Sequence, residues 1–461
     1  MSQTFSVITP IDGSVLLECA YASDNQVAAA LAAARDARRS WRSTTLVERT
    51  ALVGRAVDWL VANKARAADA ITRQIGRPIS QSPGEIGGLA ERARYMMAIA
   101  DEGLSDIWPT PKAGFERFLR REPLGTVLVL APWNYPFLTA INTLVPALIA
   151  GNTVILKHSS QTPLVAELFD EAFRSAGLPA GVFQILHLDH DATLKLVGAP
   201  EIDFVAFTGS VDGGRAVQQA AGRRFIGVGL ELGGKDPAYV RNDADLPSAI
   251  DNLVDGAFFN AGQSCCAVER IYVHRRHYKD FVDGFVELTR AYRFGNPLDS
   301  KTNLGPMVRA SAADSVRRQI AAAVTAGAKA LIPAGHFAVD APGSAYLAPQ
   351  VLVGVDHTMS VMCDESFGPV IGIMPVNDDL DAVRLMNDSR YGLTASIWTR
   401  DRDAAIRLGE AIDTGTVFMN RCDYLDPALA WTGAKDSGRG VSLSVLGYAQ
   451  LTRVKSFHLK G

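Results

Sequence analysis

TVLVLAPWNYPFLTAINTLVPALIAGNTVILK, residues 126–157, holds a whole structural unit. The run 126–132 is apolar and closed by Pro132, the pattern of a short strand buried on both faces. Residues 137–150 repeat apolar positions at helical spacing. Residues 152–157, NTVILK, form a second apolar strand. Strand, helix and strand at this spacing predict a βαβ unit, whose strands lie parallel.

The alternation continues outward. A helix over 163–176 leads through Gly177–Leu178–Pro179 to a strand at 182–186. Helix 192–197, strand 204–207 and helix 212–221 follow. The pattern restarts near 231, with helices at 246–259, 278–292 and 310–326 and a strand at 271–274. Upstream, helical stretches cover 26–43, 48–76 (ending at Gly76) and 84–102. Residues 334–349 read as a surface excursion. The class is α/β, with parallel sheets covered by helices on both faces.

Composition narrows the function. The 461 residues are 48% hydrophobic and 21% charged, with net charge −3. No block of like charge reads as a nucleic-acid arm or a polybasic membrane tether. No apolar run approaches the ~18 residues of a membrane span, and the N-terminus lacks an apolar signal core. The expectation is a cytoplasmic protein with a small-molecule substrate. Five cysteines are too few for a disulfide framework, and no metal-ligand spacing occurs.

Four segments offer chemistry. Phe258–Cys266 (FFNAGQSCC) puts a thiol behind a glycine-containing turn after an apolar helix, although a lone cysteine is most often a small buried apolar residue. Glu231 stands between leucines before Gly233–Gly234; an apolar setting raises a carboxyl toward use as a base, while pairing with Lys235 is the commoner outcome. Pro132 and Pro136 bracket Asn134 after a strand end, which suits an oxyanion donor or simply a rigid turn. Gly209, Ser210 and Gly214 lie between a strand and a helix, where a phosphate approaches a helix N-terminus. No GxSxG elbow and no HExxH occurs, and the eight histidines are scattered.

In this order, PWNYP (132–136), GNTVILK (151–157), GLPAGVF (177–183), FTGSVDGG (207–214), LELGGKDP (230–237), GQSCC (262–266), ESFGPV (365–370) and GAKDSGRG (433–440) resemble the NAD(P)-dependent aldehyde dehydrogenase superfamily. The resemblance implies an aldehyde dehydrogenase-like fold of two parallel-sheet α/β domains plus a small β oligomerisation flap. Residues 1–103 and 125–230 would form the cofactor domain, 231–435 the catalytic domain, and 104–124 with 436–461 the flap. Homodimers or homotetramers are implied.

Roles follow by motif. The resemblance makes Cys265 the nucleophile, Glu231 the general base and Asn134 the oxyanion donor. It gives Lys157 to the cofactor ribose and Gly209, Ser210 and Gly214 to the pyrophosphate. Glu365, Phe367 and Trp133 fall on the nicotinamide side. The implied reaction is oxidation of an aldehyde to a carboxylic acid through a thiohemiacetal and a thioester on Cys265, with hydrolytic release.

Departures from the family pattern mark what is individual. Ser160 stands where NAD-preferring members often carry a glutamate, so both NAD and NADP are open. Thr143 replaces a lysine implicated in proton exit. Asn142 and Phe259 stand where succinate-semialdehyde enzymes place arginines, leaving Arg421 as a substitute clamp. Tyr135, Phe259, Tyr424 and Trp431 are expected to line an aromatic tunnel suited to aliphatic, aromatic or amino aldehydes. Asp101 and Glu102 offer charge to a cationic tail, although exposed acids at a helix end are the commoner reading. Cys266 is a packing residue, with a redox switch as a minor reading. The alternatives are a semialdehyde dehydrogenase, a CoA-acylating enzyme (against which Glu231 argues) and a non-catalytic binding protein.

Overall fold

The computed structural model describes residues 3–461. The strand Thr126–Ala131 is buried along its whole length. Val127 and Val129 join one apolar core, while Leu128 and Leu130 join the core on the opposite face. Alternate residues of a strand point to opposite faces, so an all-apolar strand is one covered on both sides. Parallel neighbours flank it, Thr153–His158 on one side and Phe204–Thr208 on the other. The sheet continues outward to Phe183–Ile185 at one end and to Gly227–Glu231 and Gly438–Arg439 at the other. Chain order therefore reverses between Thr126–Ala131 and Phe204–Thr208. In open α/β sheets ligands bind outside the strand carboxyl ends at such a switch point.

A second sheet of seven strands is centred on Asp236–Val240, Val268–His274 and Val370–Val376. It too has a core on each face. The chain crosses from the first sheet to the second within residues 232–235. The carboxyl end of Gly227–Glu231 and the start of Asp236–Val240 are thus separated by four residues.

Helix ends follow local chemistry. Ser23 with Gln26, and Thr45 with Glu48, form capping boxes before Asp24–Ser43 and Leu46–Ala62. The stretch expected as one helix over 48–76 is two, broken at Asn63 before Lys64–Ile75. It ends as expected at Gly76, which is left-handed at φ 81°.

The strand Gly227–Glu231 was not expected: GVGLE carries two glycines and little β propensity. The C-terminal segment also divides differently from the expected 436–461 flap. Only Thr452–Lys460 pairs with Phe115–Pro123, in an antiparallel ribbon. Gly438–Arg439 instead edges the first sheet against Leu230 and Glu231. Gly438, at φ 113°, comes so near the Leu230 carbonyl that a Cβ would collide with it. No helix among the described residues is long and apolar enough to cross a membrane.

Candidate active site

The helix Leu246–Phe258 ends in a tight turn, Phe259–Gly262. Asn260, Ala261 and Gly262 are consecutively left-handed, at φ 52°, 55° and 68°. Asparagine and glycine tolerate this conformation; an alanine there costs roughly 1–2 kcal/mol. The strain aims residues 263–266 back across the gap between the sheets. Gln263 is held at both ends, its Nε2 donating to the Asn260 carbonyl (3.0 Å) and its Oε1 accepting from the Val308 amide (2.7 Å).

Cys265 lines a cavity of about 260 Å³. Glu231 lines it from the end of the first sheet. All four expected tunnel residues, Tyr135, Phe259, Tyr424 and Trp431, line it as well. The two adjacent cysteines have opposite surroundings. Cys265 is partly exposed, whereas Cys266 is buried and donates to Asp423 Oδ1 at 3.0 Å. Its hydrogen bond with Cys265, followed by burial, raises the Cys266 pKa well above the ordinary thiol range. Cys266 therefore stays a thiol, and thiols are poor nucleophiles.

Glu231 does not pair with Lys235. Thr208 Oγ1 donates to Glu231 Oε2 at 3.1 Å, and Ser442 Oγ donates to Oε1. Burial raises the carboxyl's pKa, partly offset by these two donors and by the charge of Arg92. Lys235 is 1% exposed and pairs instead with Glu269 at 2.5 Å. Glu269 also accepts the amides of Ser366 (2.8 Å) and Phe367 (2.9 Å). That buried pair anchors the turn carrying Glu365 and Phe367.

Asn134 is 5% exposed, and its Nδ2 donates to the Gln263 carbonyl at 3.3 Å. Its own carbonyl accepts from Arg77 Nη2 and from Asn260 Nδ2. Arg77 also pairs with Glu85 and donates to Asn260 Oδ1 at 3.1 Å. Glu85 in turn accepts the Phe137 and Leu138 amides at 2.7 and 3.1 Å, capping the helix Pro136–Ile149. His158 donates to the Pro136 carbonyl at 3.0 Å and accepts from Thr162; burial pushes its pKa down to about 4, so it is neutral. The PWNYP turn is thus held from three sides.

The expected cofactor residues lie at the carboxyl ends of the first sheet. Lys157 is the penultimate residue of Thr153–His158, with its pKa lowered by burial, and Ser160 is exposed in the turn beyond. Ser210 caps the helix Val211–Ala221, accepting from the Gly213 amide at 3.2 Å. A Cβ at Gly209 would stand 2.6 Å from the Phe207 ring, and one at Gly214 2.6 Å from Leu232. From the second sheet, Glu365 accepts the Gly234 amide at 3.0 Å. Burial, with Glu269 adding to it, raises its pKa to about 7. Phe367 meets the Trp133 ring edge-on, centroids 5.6 Å apart.

A cavity between two α/β sheets, faced by a thiol and a buried carboxyl, has counterparts among known proteins. The profile described as "Aldehyde dehydrogenase family" matches residues 1–457. The chain belongs to the aldehyde dehydrogenase family. Succinate-semialdehyde dehydrogenase (NADP+) 1 of Mycobacterium tuberculosis is 33% identical over 453 residues, 98% of each chain. The crystal structure of succinic semialdehyde dehydrogenase from Streptococcus pyogenes with NADP+ superposes at TM-score 0.94, with 28% identity over 99% of this chain and 100% of that one. An indole-3-acetaldehyde dehydrogenase complexed with NAD+ superposes at 0.95, with 32% identity over 100% and 94%.

Several residues of this aldehyde dehydrogenase site escaped the sequence reading. Arg77, Glu85, Asn260, Ser442 and Asp423 carry no local signature, because each matters through a partner distant in sequence. Arg92 is another, on the cavity-facing side of the helix Ser82–Ala98. Conversely, Asp101 is not at the cavity; it lines a separate cleft with Arg42 and Arg49. Arg421 is not among the cavity's lining residues; it stacks on the Tyr424 ring, 3.4 Å from its centroid.

Proposed function

We propose that this aldehyde dehydrogenase oxidises a small aldehyde to a carboxylic acid with NAD+ or NADP+, through Cys265, and releases the product by hydrolysis. The observation that carries the reading is the single cavity faced by Cys265 and Glu231, with the Asn134 side chain bonded to the backbone two residues before the thiol.

Cys265 is the nucleophile because it is the partly exposed member of the pair, whereas Cys266, although it also lines the cavity, is buried and held by Asp423. Its sulfur bonds to the aldehyde carbon, and the carbonyl oxygen becomes an oxyanion. The second Asn134 Nδ2 hydrogen and the Cys265 backbone N–H receive that charge; one such donor is worth ~3–4 kcal/mol. Glu231, raised by burial yet held by Ser442 and Thr208, takes a proton from the water that attacks the thioester. The C–S bond then breaks and returns the thiolate.

The first sheet fits a dinucleotide. Gly209 and Gly214 let the N-terminus of an 11-residue helix pack closely against Phe207 and Leu232 at the sheet's carboxyl end, and that helix N-terminus is the site for the pyrophosphate. Lys157 and Ser160 would hold the adenosine ribose, and Ser160 carries no charge to repel a 2′-phosphate. Glu365, Phe367 and Trp133 would hold the nicotinamide side. When bound, the nicotinamide supplies the hydride acceptor. The Thr452–Lys460 and Phe115–Pro123 ribbon, with Trp108 61% exposed beside it, supports a homodimer or homotetramer. We place the enzyme in the cytoplasm.

Purified protein should reduce NAD+ or NADP+ with an aldehyde and without CoA, and Cys265→Ala should abolish this while leaving cofactor binding intact. Turnover that survives in Cys265→Ala, or that requires CoA, overturns the reading.

A further inference from the structure

Arg92 is the one basic side chain lining the cavity among the described residues. It is 9% exposed. Its Nη1 donates to the Leu138 carbonyl and to Asn142 Oδ1, both at 3.3 Å. Its Nε and Nη2 have no protein acceptor, and it has no ion-pair partner among the described residues. The edge left unused, Nε with Nη2, is one that grips a carboxylate through two parallel hydrogen bonds. Asn142 and Leu138, both on the helix Pro136–Ile149, hold the opposite corner of the guanidinium and so fix its plane.

Other charged groups at the cavity do not take up that edge. Glu91 and Asp255 are exposed at the rim. Glu231 is occupied by Thr208 and Ser442, and Asp423 receives Ser264 and Cys266 on its Oδ1. Burial of the guanidinium works against its charge, and the fields of Glu231 and Glu85 only partly restore it. A buried cation of this kind is stabilised most by an anion delivered into the cavity. At about 260 Å³ the cavity is below the ordinary range for drug-sized ligands, so that anion must sit on a short chain.

We propose that Arg92 is a specificity-determining residue that binds the carboxylate of a short ω-carboxy aldehyde while its aldehyde end faces Cys265. The proposal rests on the reading of Cys265 as the nucleophile of an aldehyde dehydrogenase. It assigns the anion clamp to the helix Ser82–Ala98, not to Arg421.

The test compares succinate semialdehyde with butanal, four-carbon aldehydes with and without the carboxylate. In Arg92→Gln, kcat/KM for succinate semialdehyde should fall about 10- to 100-fold, mainly through KM, while butanal changes less than about 3-fold. Arg92→Lys keeps the charge without the fork and should fall between. Equal losses on both aldehydes would make Arg92 a positioning residue and overturn the proposal. So would a wild type that favours butanal. Calorimetry with succinate and with butyrate reads the same clamp without turnover. Wild type should prefer succinate, and Arg92→Gln should erase that preference; no preference in wild type overturns the clamp. Wild type silent on both aldehydes yet binding succinate through Arg92 would refute the dehydrogenase reading and keep the site.

Discussion

Replacing Asn134 by alanine separates its chemistry from its packing. In the resting structure the side chain makes one hydrogen bond, to the Gln263 carbonyl, at a long 3.3 Å. That carbonyl keeps a second donor, Asn260 Nδ2, also at 3.3 Å. The Asn134 backbone carbonyl keeps both Arg77 and Asn260. No buried group is therefore orphaned. The stability loss should be about 1 kcal/mol, the net value of one ordinary hydrogen bond. Against a typical total of ~5–15 kcal/mol, the variant stays folded. The transition state loses one oxyanion donor, ~3–4 kcal/mol, so kcat should fall about 10²- to 10³-fold. The assays are kcat for nicotinamide reduction, the urea midpoint, and the rate of Cys265 alkylation by iodoacetamide. The midpoint should move little and alkylation should stay within about 3-fold of wild type. A kcat within 10-fold of wild type would remove Asn134 from the oxyanion site. An alkylation rate that falls in step with kcat would instead make Asn134 a holder of the thiol.

Other outcomes follow from the same geometry. Glu231→Gln should leave the first turnover intact and block the second, giving a burst near one reduced nicotinamide per subunit and a steady rate down ~10²- to 10⁴-fold; loss of the burst itself would refute a role confined to hydrolysis. In wild type the acid limb of kcat should begin above the ordinary glutamate range, because burial raises Glu231 and its base form is lost as pH falls. A limb at the ordinary glutamate value would contradict this. Glu365 titrates near 7 when folded, against an ordinary value of 4.5, so the folded chain holds the extra proton between those values. Its contribution to stability is present below 4.5 and is lost as pH rises to 7. Urea midpoints of wild type relative to Glu365→Gln should therefore drop between pH 5 and pH 8, and a flat difference would refute the shift.

Legibility in the sequence depended on whether a feature was local. The strand Thr126–Ala131 was visible because burial on both faces demands an unbroken apolar run. The helices Asp24–Ser43 and Pro163–Ser175 announce themselves by apolar spacing. Gly227–Glu231 was invisible for the converse reason: it is a strand only because Phe204–Thr208 and Gly438–Arg439 pair with it. The glycine turns, the cysteine pair and the proline-bracketed asparagine stood out as local oddities. The motif order, and not periodicity, pointed to their roles.

What holds those residues was not local. Arg77 lies 57 residues from Asn134, and Ser442 lies 211 from Glu231. The commoner outcome for a lone glutamate, pairing with Lys235, does not occur here because strand geometry turns the two apart. Glu231 ends one sheet facing the cavity, whereas Lys235 enters the next beside Glu269. Arg92 shows the same limit most sharply. Helical periodicity places it on a half-buried face, where an arginine ordinarily folds its stem against the core and sends its charge to water. Only the packing of Ser82–Ala98 against Pro136–Ile149 turns that charge inward, and the Leu138 carbonyl with Asn142 fixes which edge of it stays free. The absence of arginines at positions 142 and 259 argues against an acidic substrate when positions are read one at a time. Read in three dimensions, a buried cation at the cavity wall reverses that inference, because chemistry depends on which charge reaches the cavity and not on which element carries it.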